Sequence, residues 1–165
     1  MNKKGFTLIE LILYISVVGI ISLVLIVFLG DLLESRIKNQ TIMEVEQQGQ
    51  LIMQRVLQAG RNAIYISSPA TSTSGVGLTL VMASSTLNPT IFGSNNGSMT
   101  LKEDGLITYN LNNDKVFVSN LSFSNLSRTG TRGNFRVSFT VSASSTPGRY
   151  EYEYSKNFIG SASLR

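Results

Sequence analysis

Apolar and polar positions along the chain follow three successive rhythms. From Leu11 to Gly30 there is no alternation at all: twenty residues pass without a charge, relieved only by Tyr14, Ser16, Gly19 and Ser22. At a rise of about 1.5 Å per residue this run spans about 30 Å, the thickness of a bilayer core. Lys3 and Lys4 precede it and Asp31 and Glu34 follow it. The positive-inside rule therefore predicts a single-pass protein with its N-terminus in the cytoplasm and everything after residue 31 outside. The apolar core is too long for an ordinary secretory signal and no small-residue A-x-A-like site follows it, so the span is expected to stay in the mature protein.

Beyond the span the period becomes helical. Ile42, Val45, Gly49, Ile52, Val56, Ala59 and Ala63 recur at spacings of three and four, with Met53, Leu57 and Ile64 widening the stripe. Glu44, Gln47, Gln54, Arg55, Gln58 and Arg61 fall mainly elsewhere. This pattern predicts an amphipathic helix over 31–66 that continues the span and has one face covered. Gly49 and Gly60 lie on or beside that face, where they permit close approach at a cost of about 1 kcal/mol each. A two-stranded coiled coil is the alternative, disfavoured because consistent a/d leucines are missing and covering sequence is present in the same chain.

Ser67 to Gly77 (SSPATSTSGVG) breaks the helix, and the period then becomes two. Candidate strands are Val76–Ala83, Ser98–Lys102, Leu106–Asn110, Lys115–Ser119, Leu121–Asn125, Asn134–Ser142 and Arg149–Lys156. Asp104-Gly105 is a hairpin signal, and Asn112-Asn113-Asp114 is a second turn. Phe135, Val137, Phe139 and Val141 alternate with Arg136, Ser138, Thr140 and Ser142, giving one buried and one wet face. Tyr150, Tyr152 and Tyr154 alternate with Glu151 and Glu153, and Thr146-Pro147-Gly148 joins these last two strands as an antiparallel pair. Gly93–Ser98 (GSNNGS) reads as a loop. A helix lying on one face of such a sheet buries both, so the expected class is α+β. The helical part then divides at residue 30 into the span and the amphipathic 31–66, and 67–165 is a β-rich head.

Composition narrows the chemistry. The 165 residues include no Cys and no His or Trp, which removes disulfides, thiol catalysis, a Ser-His-Asp triad and the usual zinc sets. No phosphate cradle or nucleophile motif is visible, so the chain reads as not an enzyme, with no cofactor. The net charge of +4 includes Lys3 and Lys4; Asp31 to Ile66 balances four acids with four bases, and the remainder carries eight bases against five acids. That excess is not a nucleic-acid footprint by itself.

One carboxylate stands at the head of the apolar run, in Gly5-Phe6-Thr7-Leu8-Ile9-Glu10. An acid near the centre of a spanning helix costs roughly 2.5–3.5 kcal/mol, so Glu10 needs a partner or a place where that cost is small. The hexapeptide, behind lysines and ahead of an uncharged span, closely resembles the processing site of type IV pilins and type II secretion pseudopilins. The resemblance implies that Met1 to Gly5 is a leader and that prepilin peptidase cuts between Gly5 and Phe6. Phe6 then becomes the N-methylated terminus and Glu10 the acid used in filament assembly. Phe6 and Glu10 are i and i+4 on a helix, so the new amine and the carboxylate share a face. Within a bundle, Glu10 can meet the amine of a neighbour and set axial register. The plain alternative is a Glu reaching the interface of a single-span anchor. The family also implies the pilin-like fold, partners among other pilin or pseudopilin subunits, and the assembly platform protein and ATPase of the same machine.

The span lacks the helix-breaking Pro of many main filament subunits, and the C-terminal part lacks their Cys pair. The Ser/Thr/Asn-rich region and the FIGSASLR end look like minor pilins or J-type minor pseudopilins. The expected role is thus a minor structural subunit of a pilus or pseudopilus, in the bacterial or archaeal membrane and then in the fibre. The alternative is a tip-located binding module for DNA, a surface or a secreted substrate. Arg128, Arg132 and Arg136 are the candidate nucleic-acid contacts, weighed against a solvated loop leading into a strand. Glu103, Asp104 and Asp114 are weighed as calcium ligands and read instead as turn formers, because the D-x-D-x-D-G pattern is absent.

Overall fold

A computed structural model describes residues 7–105, 107–128, 130, 132–144 and 153–165. Among these residues one α-helix, α1 (Leu8–Asn62), is followed by nine strands: β1 (Ala63–Ser68), β2 (Ser74–Gly75), β3 (Leu78–Met82), β4 (Thr90–Asn95), β5 (Ser98–Glu103), β6 (Ile107–Asn110), β7 (Val116–Asn125), β8 (Asn134–Ala143) and β9 (Ser155–Ser163), with a short 3-10 turn at Ser85–Leu87. The chain divides into two units, Met1–Asn39 and Gln40–Arg165.

In the first unit twenty large apolar side chains between Leu8 and Leu33 are exposed. The Ser16 hydroxyl donates to the Ile12 carbonyl at 2.8 Å, so it does not need an outside partner in apolar surroundings.

In the second unit the helix has one buried face, made by Val45, Gly49, Ile52, Val56 and Gly60. The head is an antiparallel β structure, and it contains two sheets rather than one. The first has the order β1-β3-β4-β5-β6 and the second β2-β7-β8-β9. A single core cluster draws on the helix and both sheets. The expected alternation in β8 holds: Phe135, Val137, Phe139 and Val141 are all fully buried. Phe139 faces Phe158 of β9, and the two rings stack at 5.5 Å with 15° between their planes.

The helix seats on β8 and β9 through missing side chains. A Cβ on Gly49 would overlap the Phe158 ring, and one on Gly60 would overlap the Phe135 ring. Between them Met53 and Leu57 occupy the space left open by Gly160 of β9. Thus the stripe glycines admit aromatic rings of the sheet. Glu46 and Lys156 pair at 2.7 Å at the margin of this seat.

Several boundaries differ from the sequence expectation. The helix stops at Asn62, not Ile66, because Ala63–Ser68 pairs antiparallel with β3. Ile64 and Tyr65, a β-branched and an aromatic residue, suit a strand. Ile64 is accordingly exposed rather than part of the helical stripe. Gly93–Ser98 is not a free loop: β4 and β5 form a hairpin turning at Asn96 (φ 48°) and Gly97 (φ 80°), as a type I′ turn requires. The two strands expected over 115–125 are one strand, β7, with a register irregularity at Asn120, whose φ is 51°. The last described strand runs over Ser155–Ser163, beyond the expected end at Lys156, because Phe158 and Ala162 fill the core; residues 149–152 of the expected strand lie outside the described residues. Tyr150, Tyr152 and the Thr146-Pro147-Gly148 turn lie outside the described residues. The Asn112 turn joins the two sheets instead of closing a hairpin. Its buried side chain accepts from Met99 N–H at 2.9 Å and donates to the Val116 carbonyl at 2.9 Å.

Candidate functional site

The N-terminal candidate site is built on the first turns of α1. Gly5 and Phe6 lie outside the described residues. From Thr7 onward, the Leu11 N–H donates to the Thr7 carbonyl at 3.2 Å, so the helical bonding pattern already includes Thr7. Glu10 is the acid of the first turn, and it is exposed. A carboxylate there sits favourably in the field of the unsatisfied N–H groups of the helix start. Immediately beyond it the helix is uncharged as far as Gly30, and it is long and apolar enough to cross a membrane. Covering twenty half-exposed apolar side chains is worth on the order of 20 kcal/mol, so lipid or neighbouring helices are the natural environment of this segment.

The head places the remaining candidates as follows. Arg128 lines an open depression with Ser72, Thr73, Ser74, Ser124 and Ser127. Arg136 is exposed on the outer face of β8, directly across from Ser124 of β7. Arg132 is exposed just before β8 and is not among the residues lining the depression. Of the three arginines only Arg128 lines the depression; Arg136 is the cross-strand neighbour of one of its lining serines, and Arg132 is neither. Among the described residues, no group of three or more His, Cys, Asp or Glu side chains is placed to hold a metal ion.

Glu46 lies outside the apolar run, and its carboxyl is held below its ordinary pKa, first by the hydrogen bond from Lys156 and then by that charge. Lys156 is correspondingly raised, chiefly by the same hydrogen bond. Tyr154 reaches the same Glu46 oxygen at 3.5 Å. These groups fasten the helix to β9.

Sequence reasoning did not find the hydroxyl depression. Ser74, Ser124, Arg136 and Ser161 form one row across the second sheet, but they are joined only through the pairing of β2, β7, β8 and β9.

Residues 1–26 match the family described as the prokaryotic N-terminal methylation motif. No curated protein and no solved structure matches the chain significantly. The motif, a single long apolar N-terminal helix and an antiparallel β head together support a protein of the pilin/pseudopilin type.

Proposed function

We propose that the chain is a minor structural subunit of a type IV pilus or a type II secretion-type pseudopilus. In this reading prepilin peptidase removes residues 1–5, Phe6 carries the methylated amine, and residues 6–30 hold the subunit in the membrane and later in the fibre core. Residues 31–62 carry the head, which faces the outside. Other subunits, the platform protein and the ATPase of the same machine are the partners. The observation that carries the reading is Glu10, exposed in the first turn of a helix whose following turns carry no further charge until Asp31. A lone acid at that place has a use when a neighbour's N-terminal amine meets it, where low-dielectric packing strengthens the attraction.

The test is Glu10→Val in the native host, with the protein followed in membranes and in sheared surface fibres or cross-linked assemblies. The variant is expected in the membrane at normal level and depleted from assemblies. Normal incorporation removes the assembly role of Glu10. The second reading, a tip-located binding module, is supported by an open depression on the head that Arg128 lines together with Ser72, Thr73, Ser74, Ser124 and Ser127.

A further inference from the structure

Each sheet of the head ends in two edge strands, and an edge presents unpaired main-chain groups that can template another strand. Three of the four edges are blunted. β1 breaks register twice, β2 has two residues and β6 has four. β9 is different: it runs for nine residues in unbroken register with β8 and contains no Pro. Its one charged residue, Lys156, is tied to Glu46 of the helix at 2.7 Å. Short length, a bulge, a proline or a free charge would protect such an edge, and β9 has none of them.

The unpaired groups follow from the ladder. The Leu164 N–H donates to the Gly133 carbonyl at 2.8 Å, and the Ala143 N–H to the Tyr154 carbonyl at 2.9 Å. Bonded and non-bonded pairs alternate in an antiparallel pair, so the even-numbered residues of β9 bond to β8. Ser155, Asn157, Ile159, Ser161 and Ser163 therefore turn their N–H and C=O groups to the outer edge, and among the described residues no strand lies on that side. The side chains beside this edge suit an added strand. Toward the helix, Met53 and Leu57 lie over Gly160 and are only partly buried. On the outer face Ile159 is 65% exposed, and the other edge residues are uncharged serines and an asparagine.

We propose that the free edge of β9 docks an extended, uncharged segment of another protein, which joins the second sheet as a fifth strand. Only an extended main chain matches this row. Five N–H and five C=O groups offer about ten hydrogen bonds, as many as a typical protein interface carries. Alternate residues of the segment face Met53 and Leu57 and are apolar. The others stand in line with Asn157, Ile159 and Ser161 and are small, hydroxyl-bearing or β-branched. A charge among them would meet no counter-charge on the edge. A second copy fits poorly. β9 joined to β9 about a two-fold axis sets helix residues 40–62 of the two heads in opposite directions, whereas one membrane holds every copy in one orientation. The proposal goes beyond the subunit reading and needs neither cleavage after Gly5 nor Glu10, so the two fail separately.

The experiment titrates the full chain in detergent micelles into a fluorescent nine-residue peptide that alternates Thr and Val, and reads its anisotropy. The comparison is the same peptide N-methylated on every residue, which cannot donate to the edge. Saturable binding of the first peptide and none of the second is expected. Ile159→Pro removes an edge donor without touching a bond to β8, and is expected to weaken binding about tenfold with thermal unfolding little changed. Ile159→Thr, which keeps the donor on a residue suited to strands, is expected to stay within about threefold of the parent. The absence of saturable binding overturns the proposal, as does equal binding of the N-methylated peptide or binding indifferent to Ile159→Pro. The N-methylated peptide decides the matter even if the proline variant unfolds. Self-association of the chain that excludes the peptide and is lost in Ile159→Pro overturns the proposal in favour of a second copy.

Discussion

Gly49→Ala is the sharpest probe of how the head holds the helix. In an exposed helix interior this change stabilises by about 1 kcal/mol, since alanine loses less backbone freedom on folding than glycine. Here the new Cβ enters the space of the Phe158 ring, overlapping three ring carbons. The ring is not free to swing away, because it stacks on Phe139 at 5.5 Å and Lys156 lies 5.8 Å above its centre. Overpacking a close-packed site costs about 1–3 kcal/mol, which outweighs the helix gain. The net expectation is a loss of about 1 kcal/mol, a fall in Tm of roughly 4 °C for a unit of this size. Thermal unfolding by far-UV circular dichroism of the full chain in detergent reads it. Phe158→Leu removes the ring edge, so Gly49→Ala is expected to stabilise in that background, giving a coupling of about 1–2 kcal/mol in the double-mutant cycle. If Gly49→Ala raises Tm equally in both backgrounds, the ring does not sit over Gly49 and the packing argument fails.

Three further outcomes follow from the same structure. Asn112→Ala leaves the Met99 N–H and the Val116 carbonyl without their side-chain partner, at a cost of about 2–4 kcal/mol in chemical denaturation; a change below about 0.5 kcal/mol contradicts its role in joining the sheets. The Glu46–Lys156 pair has a worked sign: Glu46 is lowered, so its contribution is lost as pH falls through its folded value, and Lys156 is raised, so its contribution is lost as pH rises through its own. Lys156→Gln is therefore expected to lower Tm slightly at neutral pH and to differ less from the parent in acid; an equal difference at both pH values refutes the pairing. Gly60→Ala, against the fully buried Phe135 ring and the Ala162 methyl, is expected to lower Tm, while Gly19→Ala, with open space around it, is expected not to; equal effects contradict the seat.

The parts of this fold that were legible in the sequence are those carried by local period. The buried helix face was readable because Val45, Gly49, Ile52 and Val56 keep a helical spacing, and β8 because its four apolar residues alternate strictly. The helix end was not, since Ala63-Ile64-Tyr65-Ile66 suits either state and only the antiparallel partner β3 decides it. The Asn96-Gly97 turn carried a hairpin signal, but Pro89 and Gly93 obscured β4 as a strand. The division into two sheets left no local trace, because the Asn112 segment looks like an ordinary turn until its bonds to Met99 and Val116 are seen. Glu10 stood out in the sequence by its place at the head of the apolar run and by the motif around it. The row from Ser74 to Ser161 depends on strand pairing across most of the head and on no spacing within any one segment.

The central claim is that this is a processed subunit, and the mass of its N-terminal peptide from native-host membranes tests it most directly. The account predicts loss of Met1 to Gly5 and one methyl group on the Phe6 amine. An intact N-terminus in cells with active prepilin peptidase contradicts it and leaves an ordinary membrane anchor.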